Sequence, residues 1–269
     1  MKPIAPYRKV MAILNVTPDS FYAASRAEGE EAVARRVGQI VAEGADIIDI
    51  GGYSTRPGAA VVEEQEEIRR VMQGVEVCRR VAPSVTLSID TFRASVAERV
   101  LDEYDNVIIN DITAGEADGR LVDVVARYGA PMVAMHTRGT PQTMASLTDY
   151  KDVVGEVADY LQRRAEWLVE RGVRNVIIDP GFGFAKSTEQ NFELLERLGE
   201  IASLGFPVLA GISRKSFIYK TLGITPDEAL EATSALHWAC LEGGAAVLRV
   251  HDVAAARQVV KLYEKTKCL

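Results

Sequence analysis

Eight short apolar runs, each closing on a polar residue or a glycine, constrain this chain more than any other feature. They are Val10–Asn15, Asp46–Gly51, Val85–Asp90, Val107–Asp111, Pro131–His136, Val176–Asp179, Pro207–Ser213 and Val247–His251. Each is too short for a helix and rich in β-branched residues, and a stretch with helical periodicity follows it. Alternation of this kind builds parallel βα units, and eight of them predict a closed (β/α)8 barrel of the TIM type. The active site of such a barrel lies at the carboxyl ends of its strands. Asn15, Asp90, Asn110, Asp179, Lys215, Arg249 and His251 fall there, so the pattern points to a site as well as a fold.

The segments between the runs agree. Val33, Val37, Ile40 and Val41 recur at helical intervals, as do Val96, Val100, Leu101 and Tyr104. Leu121, Val124, Val125 and Tyr128 form a third stripe, and Val153, Val157, Leu161 and Leu168 a fourth. Each stripe suits packing on the outside of a barrel. Gly44, Gly129, Gly172, Gly205 and Gly243 stand between a helical stretch and the next run, where a left-handed residue ends a helix without a Cβ penalty. Ser187 with Gln190, and Thr225 with Pro226 and Glu228, have the spacing of capping boxes that start helices.

A length of 269 residues matches one barrel, and no linker or shift in composition divides it, so residues 1–269 are predicted to form a single domain. The net charge of −7 argues against nucleic-acid binding, though a few clustered cations can still dominate one cleft. No apolar run is long enough to span a bilayer, and Met1-Lys-Pro-Ile lacks a signal-peptide core. Cys78, Cys240 and Cys268 are odd in number and show no metal-ligand spacing, which suits unpaired thiols in the cytoplasm.

The chemistry-bearing residues sit at the strand ends and in the loops that follow. The first and second runs lead into Asn15-Val-Thr-Pro-Asp-Ser-Phe21 and Gly51-Gly-Tyr-Ser-Thr-Arg-Pro-Gly58, both predicted to be long βα loops. Arg56 beside Ser54 and Thr55 offers a cation and two hydroxyls to a diphosphate, or else Arg-Pro-Gly is only a surface turn. Asp90, Asn110 and Asp179 each read, taken singly, as helix N-caps. Together with Lys215 and Arg249 they read as a site for a flat heterocycle carrying several N–H donors. Asp179-Pro-Gly-Phe-Gly-Phe184 permits close approach of backbone to ligand, with Phe184 as a wall. Loops after strands seven and eight of a barrel often bind phosphate, which favours a functional Lys215, whereas Arg214 reads as a solvated salt-bridging residue. His251 can also be read as a satisfied polar residue at the barrel rim, and His136 reads chiefly as one. No dedicated metal motif is present. Mg2+ held mostly by a substrate, with one oxygen from Asn15, suits this set.

Those strand-end motifs, with Ser54-Thr-Arg-Pro-Gly58, Ile89-Asp-Thr91, Asn110-Asp-Ile112, Ser213-Arg-Lys215 and Arg249-Val-His251, resemble the dihydropteroate synthase family along essentially the whole chain. The resemblance implies a folate-pathway transferase and sulfonamide target. It would join 4-aminobenzoate to 7,8-dihydropterin-6-ylmethyl diphosphate with Mg2+ present, as a cytoplasmic homodimer. It further implies Asp90, Asn110, Asp179 and Lys215 as the pterin set, and Thr55, Arg56, Arg249 and His251 as diphosphate contacts. Phe21, Thr55, Pro57, Ser213 and Lys215 become the aminobenzoate subsite, Asn15 the metal residue, and Asp90, Lys215 and Arg249 the catalytic residues. Two local departures stand out: Tyr53 where the family commonly has Glu, and Tyr22-Ala-Ala-Ser25 in place of Ser-Asp-Gly-Gly. A related pterin-binding methyltransferase barrel and a pterin-binding paralogue without turnover are the alternatives. The first would have no use for a diphosphate loop.

Overall fold

The strands close on themselves in chain order, each parallel to its neighbours: β1 (Lys9–Asn15), β2 (Ile47–Gly51), β3 (Thr86–Asp90), β4 (Val107–Asp111), β5 (Met132–Met135), β6 (Val176–Asp179), β7 (Val208–Ala210) and β8 (Ala245–Val250). This computed structural model describes residues 8–16, 26–53, 62–140 and 143–267; Phe21, Thr55, Arg56 and Pro57 lie outside the described residues. Pairing of Lys9–Ala12 with Val247–Val250 closes the ring. Around it lie α1 (Arg26–Ala42), α2 (Glu64–Val81), α3 (Ala94–Leu101), α4 (Arg120–Tyr128), α5 (Val153–Glu170), α6 (Thr188–Glu196), α7 (Leu198–Ala202), α8 (Ser216–Leu222), α9 (Leu230–Glu242) and α10 (Val253–Lys267). This is the (β/α)8 barrel that the run pattern predicts.

Two layers of apolar packing follow from strand parity. Residues of one parity point outward, where Val33, Val37, Val96, Val100, Leu121, Val125, Val157 and Leu161 from the helices meet the sheet. Residues of the other parity point inward, and Met11, Ile47, Ile108, Val133, Leu209 and Val247 form a buried plug inside the barrel. Nearer the carboxyl ends the inward positions carry polar side chains or glycine, apart from Ile13 and Met135. Asn15, Asp49, Asp90, Asn110, Asp179 and Arg249 therefore share one parity and one end of the barrel.

The helix stops match with one exception. Gly44, Gly129, Gly172 and Gly205 have φ of 93°, 64°, 95° and 83°. Gly243 does not; it caps α9 with φ −72°, and Gly244 takes the left-handed turn at φ 94°. β8 consequently begins at Ala245, ahead of the expected Val247, because alanine carries no strand signal that periodicity could register. Tyr104 lies past the end of α3, and Val41 and Tyr128 sit at the exposed edges of their stripes. The Ser187 box caps α6, with Gln190 N–H donating to Ser187 Oγ at 3.2 Å and Ser187 N–H to Gln190 Oε1 at 2.8 Å. The Thr225 box starts only a single 3-10 turn, Pro226–Glu228.

Candidate active site

Strand register brings the polar inward positions together. Gly51 lies beside Asp90 in the β2–β3 pairing and beside Asn15 in the β1–β2 pairing. A Cβ at Gly51 would stand 3.6 Å from Asn15 Oδ1 and 3.7 Å from Asp90 Cβ. Gly211, just past β7, similarly stands between Arg249 and Asp179, its Cβ position being 3.9 Å from Arg249 Cβ and 4.0 Å from Asp179 Oδ2. Side chains at these two positions would fill the mouth; glycines leave it open.

Arg249 is the hub. Its Nε donates to Asp49 Oδ2 at 2.6 Å and its Nη2 to Asp90 Oδ2 at 2.7 Å. The same Asp49 oxygen accepts from Asn110 Nδ2 at 3.1 Å. With its amide nitrogen committed to Asp49, Asn110 is left to present its Oδ1 as an acceptor elsewhere. Burial raises Asp90 to about 7, against the pull of Arg249. Burial works against the charge of Arg249 too, but Asp49 and Asp90 outweigh it and raise its pKa.

The β6 and β7 ends add the second half. Asp179 Oδ1 accepts from Gly181 N–H at 2.7 Å, and burial raises its pKa while Lys215 opposes the rise. Burial lowers the Lys215 ammonium to about 8, with Asp179 opposing. Lys215 Nζ donates to Phe182 O and lies 4.6 Å from the centroid of the Phe184 ring. Gly183, at φ 77°, is what permits this approach, since a Cβ there would be 2.9 Å from Lys215 Cδ. Ser213 and His251 are joined, Ser213 Oγ lying 3.2 Å from His251 N and 3.0 Å from its Nδ1. Arg36 Nη2 donates to His251 O at 3.0 Å from α1. All described site candidates thus gather at one mouth.

Arg214 is salt-bridged as expected but is more than a solvated residue. It binds Asp252 through Nε and Nη2 at 2.7 and 2.8 Å, and its Nη1 donates to the Pro226 and Asp227 carbonyls at 2.9 Å. Its φ of 54° turns it away while Ser213 and Lys215 face the mouth. His136 is buried, donates its N–H to Asp179 O at 2.9 Å, and is kept neutral by burial and by Lys186, its pKa falling to about 2. Asp111 has outward parity and ties down its own loop, accepting from Thr113 N–H at 2.7 Å and Gly115 N–H at 2.5 Å.

Three residues escape the sequence reading. Asp49 looks like part of an apolar run, although its parity with Gly51 is a usable signal. Lys186 is buried with no hint in the spacing. Glu67, also buried, accepts from Thr91 Oγ1 and from Arg93 Nη1, each at 2.7 Å. Arg93 in turn donates to Val62 O at 2.8 Å and lies 5.6 Å from the Tyr53 ring, which meets Phe92 edge-on at 5.6 Å. Tyr53 therefore has a defined place beside Arg93, whose charge is met by Glu67 from α2.

Residues 11–251 match the family model described as pterin binding enzyme. A Synechocystis protein named dihydropteroate synthase is 42% identical over 256 residues, covering 94% of this chain and 88% of the relative. The dihydropteroate synthase of Thermus thermophilus, solved in complex with 4-aminobenzoate, superposes with a TM-score of 0.85 at 38% identity, covering 97% of this chain and 95% of the other. That of Yersinia pestis, solved with a sulfonamide drug, gives 0.88 at 35% identity, with 98% and 95% covered. The fold is that of a pterin-binding barrel. Within that class the chain belongs to the dihydropteroate synthase family, a family of transferases in folate synthesis.

Proposed function

We propose that this mouth joins 7,8-dihydropterin-6-ylmethyl diphosphate to 4-aminobenzoate, giving 7,8-dihydropteroate and diphosphate, with the named residues dividing the work. The observation that carries the assignment is the convergence of Asp90, Asn110, Asp179, Lys215 and Arg249 from five different βα units on one opening. Asp179 and Asn110 Oδ1 accept from ring donors of the pterin, and Lys215 donates to its ring acceptors. The carbon–oxygen bond to diphosphate breaks with its electron pair leaving on the diphosphate. The pterin-methyl cation is then captured by the arylamine lone pair, and the amine proton departs to solvent.

Little covalent work falls to the protein; the demand is for stabilisation of separated charge. At about 5 Å and an effective dielectric of about 20, the Asp90 carboxylate attracts the cation by roughly 3 kcal/mol. That is on the order of a hundredfold in rate if it acts chiefly in the transition state. Arg249 and His251, with Thr55 and Arg56, meet the diphosphate. Ser213 and Lys215, with Phe21, Thr55 and Pro57, form the aminobenzoate subsite, where a sulfonamide would compete. The pocket that Gly51 leaves beside Asn15 suits Mg2+ bound by one amide oxygen together with diphosphate and water. The ion would neutralise charge on the leaving group.

Among the described residues no helix is long and apolar enough to cross a membrane. A cytoplasmic setting is supported by the buried free thiols of Cys78 and Cys240. The homodimer is part of the same proposal and is checked by sedimentation. The direct test incubates the protein with the pterin diphosphate, 4-aminobenzoate and Mg2+; formation of dihydropteroate is expected, and its absence from folded protein would overturn the reading.

A further inference from the structure

We infer that Lys186 is a positioning residue for Lys215, acting through the Gly181–Phe184 turn that the two lysines grip from opposite sides. The proposal rests on the role given to Lys215 above. Lys186 is 9% exposed; its Nζ donates to Gly181 O at 3.0 Å and Phe184 O at 3.1 Å and lies 3.1 Å from His136 Nδ1. None of these acceptors is a carboxylate, so a buried ammonium is spent on holding backbone rather than on an ion pair. Donation from Lys186 Nζ to His136 Nδ1 would leave the ring proton of this imidazole on Nε2.

The backbone explains how one turn serves two cations. Gly181, Gly183 and Ala185 have φ of 69°, 77° and 48°, alternating with ordinary residues. That alternation leaves Gly181 O and Phe184 O to Lys186 and Phe182 O to Lys215. A left-handed Ala185 carries strain that the surroundings must hold in place, and the Lys186 contacts do so. Asn191 Oδ1 accepts from Gly183 N–H at 2.6 Å and completes the support from α6. The turn is thus fixed from behind by Lys186 and Asn191, and it presents to the mouth the carbonyl that holds Lys215 and the ring that walls it.

A double-mutant cycle tests this, using calorimetric binding of 6-hydroxymethyl-7,8-dihydropterin, a ligand without phosphate. Lys186→Met should weaken binding about thirtyfold in the parent, as a displacement of up to ~1 Å can. In a Lys215→Met background the same change should cost less than about twofold, because there is no Lys215 left to misplace. Lys186→Gln retains two N–H donors for the carbonyls and should recover part of the parent affinity; it also carries the cycle if Lys186→Met does not fold. Equal losses in both backgrounds would overturn the proposal and leave the role of Lys215 standing. Parent-like binding by Lys215→Met alone would sink the role of Lys215, and this proposal with it.

Discussion

Asp49→Ala isolates what holds the mouth together. One oxygen of Asp49 accepts from both Arg249 Nε at 2.6 Å and Asn110 Nδ2 at 3.1 Å, and the side chain is wholly buried. Deleting it removes a charged hydrogen bond, about 1.5–3 kcal/mol, and leaves an amide donor without its acceptor, about 1–3 kcal/mol. Arg249 keeps Asp90 at 2.7 Å and is 23% exposed on its side chain, so water can replace part of both losses. The lower end of each range is therefore the better guide, and the sum is about 2–3 kcal/mol in kcat/KM. That amounts to roughly thirty- to a hundred-and-sixtyfold. Stability should change by less than about 2 kcal/mol, because removing a desolvated carboxylate offsets the ion pair it leaves.

Asp49→Asn sharpens the test. Its amide oxygen can replace Asp49 Oδ2 and keep both bonds, whereas its NH2 would occupy the place of Oδ1, which has no partner among the described residues. An intermediate loss of about tenfold is expected from the missing charge and the orphaned donor. Steady-state formation of dihydropteroate, with thermal melting as the control for folding, measures both variants. An Asp49→Ala enzyme within threefold of the parent in kcat/KM would refute the view that Asp49 sets the positions of Arg249 and Asn110.

Three further outcomes follow from the same geometry. Asp90 must be ionised and Lys215 protonated, so kcat/KM should rise with pH through about 7 and fall through about 8; an acid limb unchanged in Asp90→Asn would remove Asp90 from that role. Asp179→Ala should weaken binding of a phosphate-free pterin by about 2–4 kcal/mol, and unchanged affinity by calorimetry would reduce Asp179 to the cap of its own turn. His237 in α9 is buried with neither ring nitrogen partnered among the described residues, and burial lowers its pKa to about 4; His237→Leu should raise Tm by roughly 2–4 °C, whereas a fall would mean that the ring is held by something other than packing.

The fold was legible because strand ends, helix stripes and left-handed glycines are local signals, each set by a few neighbouring residues. Gly243 shows where such reading stops. Two adjacent glycines satisfy the same rule, and only the packing of α9 decides that Gly244 takes the turn. The strand-end residues were legible for a related reason: a polar residue of inward parity near the end of an apolar run has few places to go but the mouth, whereas Asp111, of outward parity, binds its own loop. Asp49 was hidden inside such a run, where a single acid among isoleucines reads as part of a strand until parity places it inward. Lys186 and Glu67 were not legible at all. Their burial is a property of what other segments bring to them, carbonyls and an imidazole in one case, Thr91 and Arg93 in the other.

The order of charges around the ring links this geometry to the reaction. The acids Asp49, Asp90 and Asp179 come from β2, β3 and β6, while the cations Lys215 and Arg249 follow from β7 and β8. A reaction that pulls a cation and a trianion apart needs such separated fields, already oriented before the substrate arrives. Left alone they would collapse onto one another, and here Arg249 partly does, bridging Asp49 and Asp90. That bridge also keeps the carboxylates from repelling each other in a buried space, which would otherwise favour their neutral forms. A diphosphate drawing Arg249 toward itself would loosen the hold on Asp90 as negative charge builds on the leaving group. The carboxylate would then face the pterin when positive charge develops there. One arginine can in this way serve the resting mouth and the leaving group in turn, which is a physical reason for placing it between two acids rather than beside one.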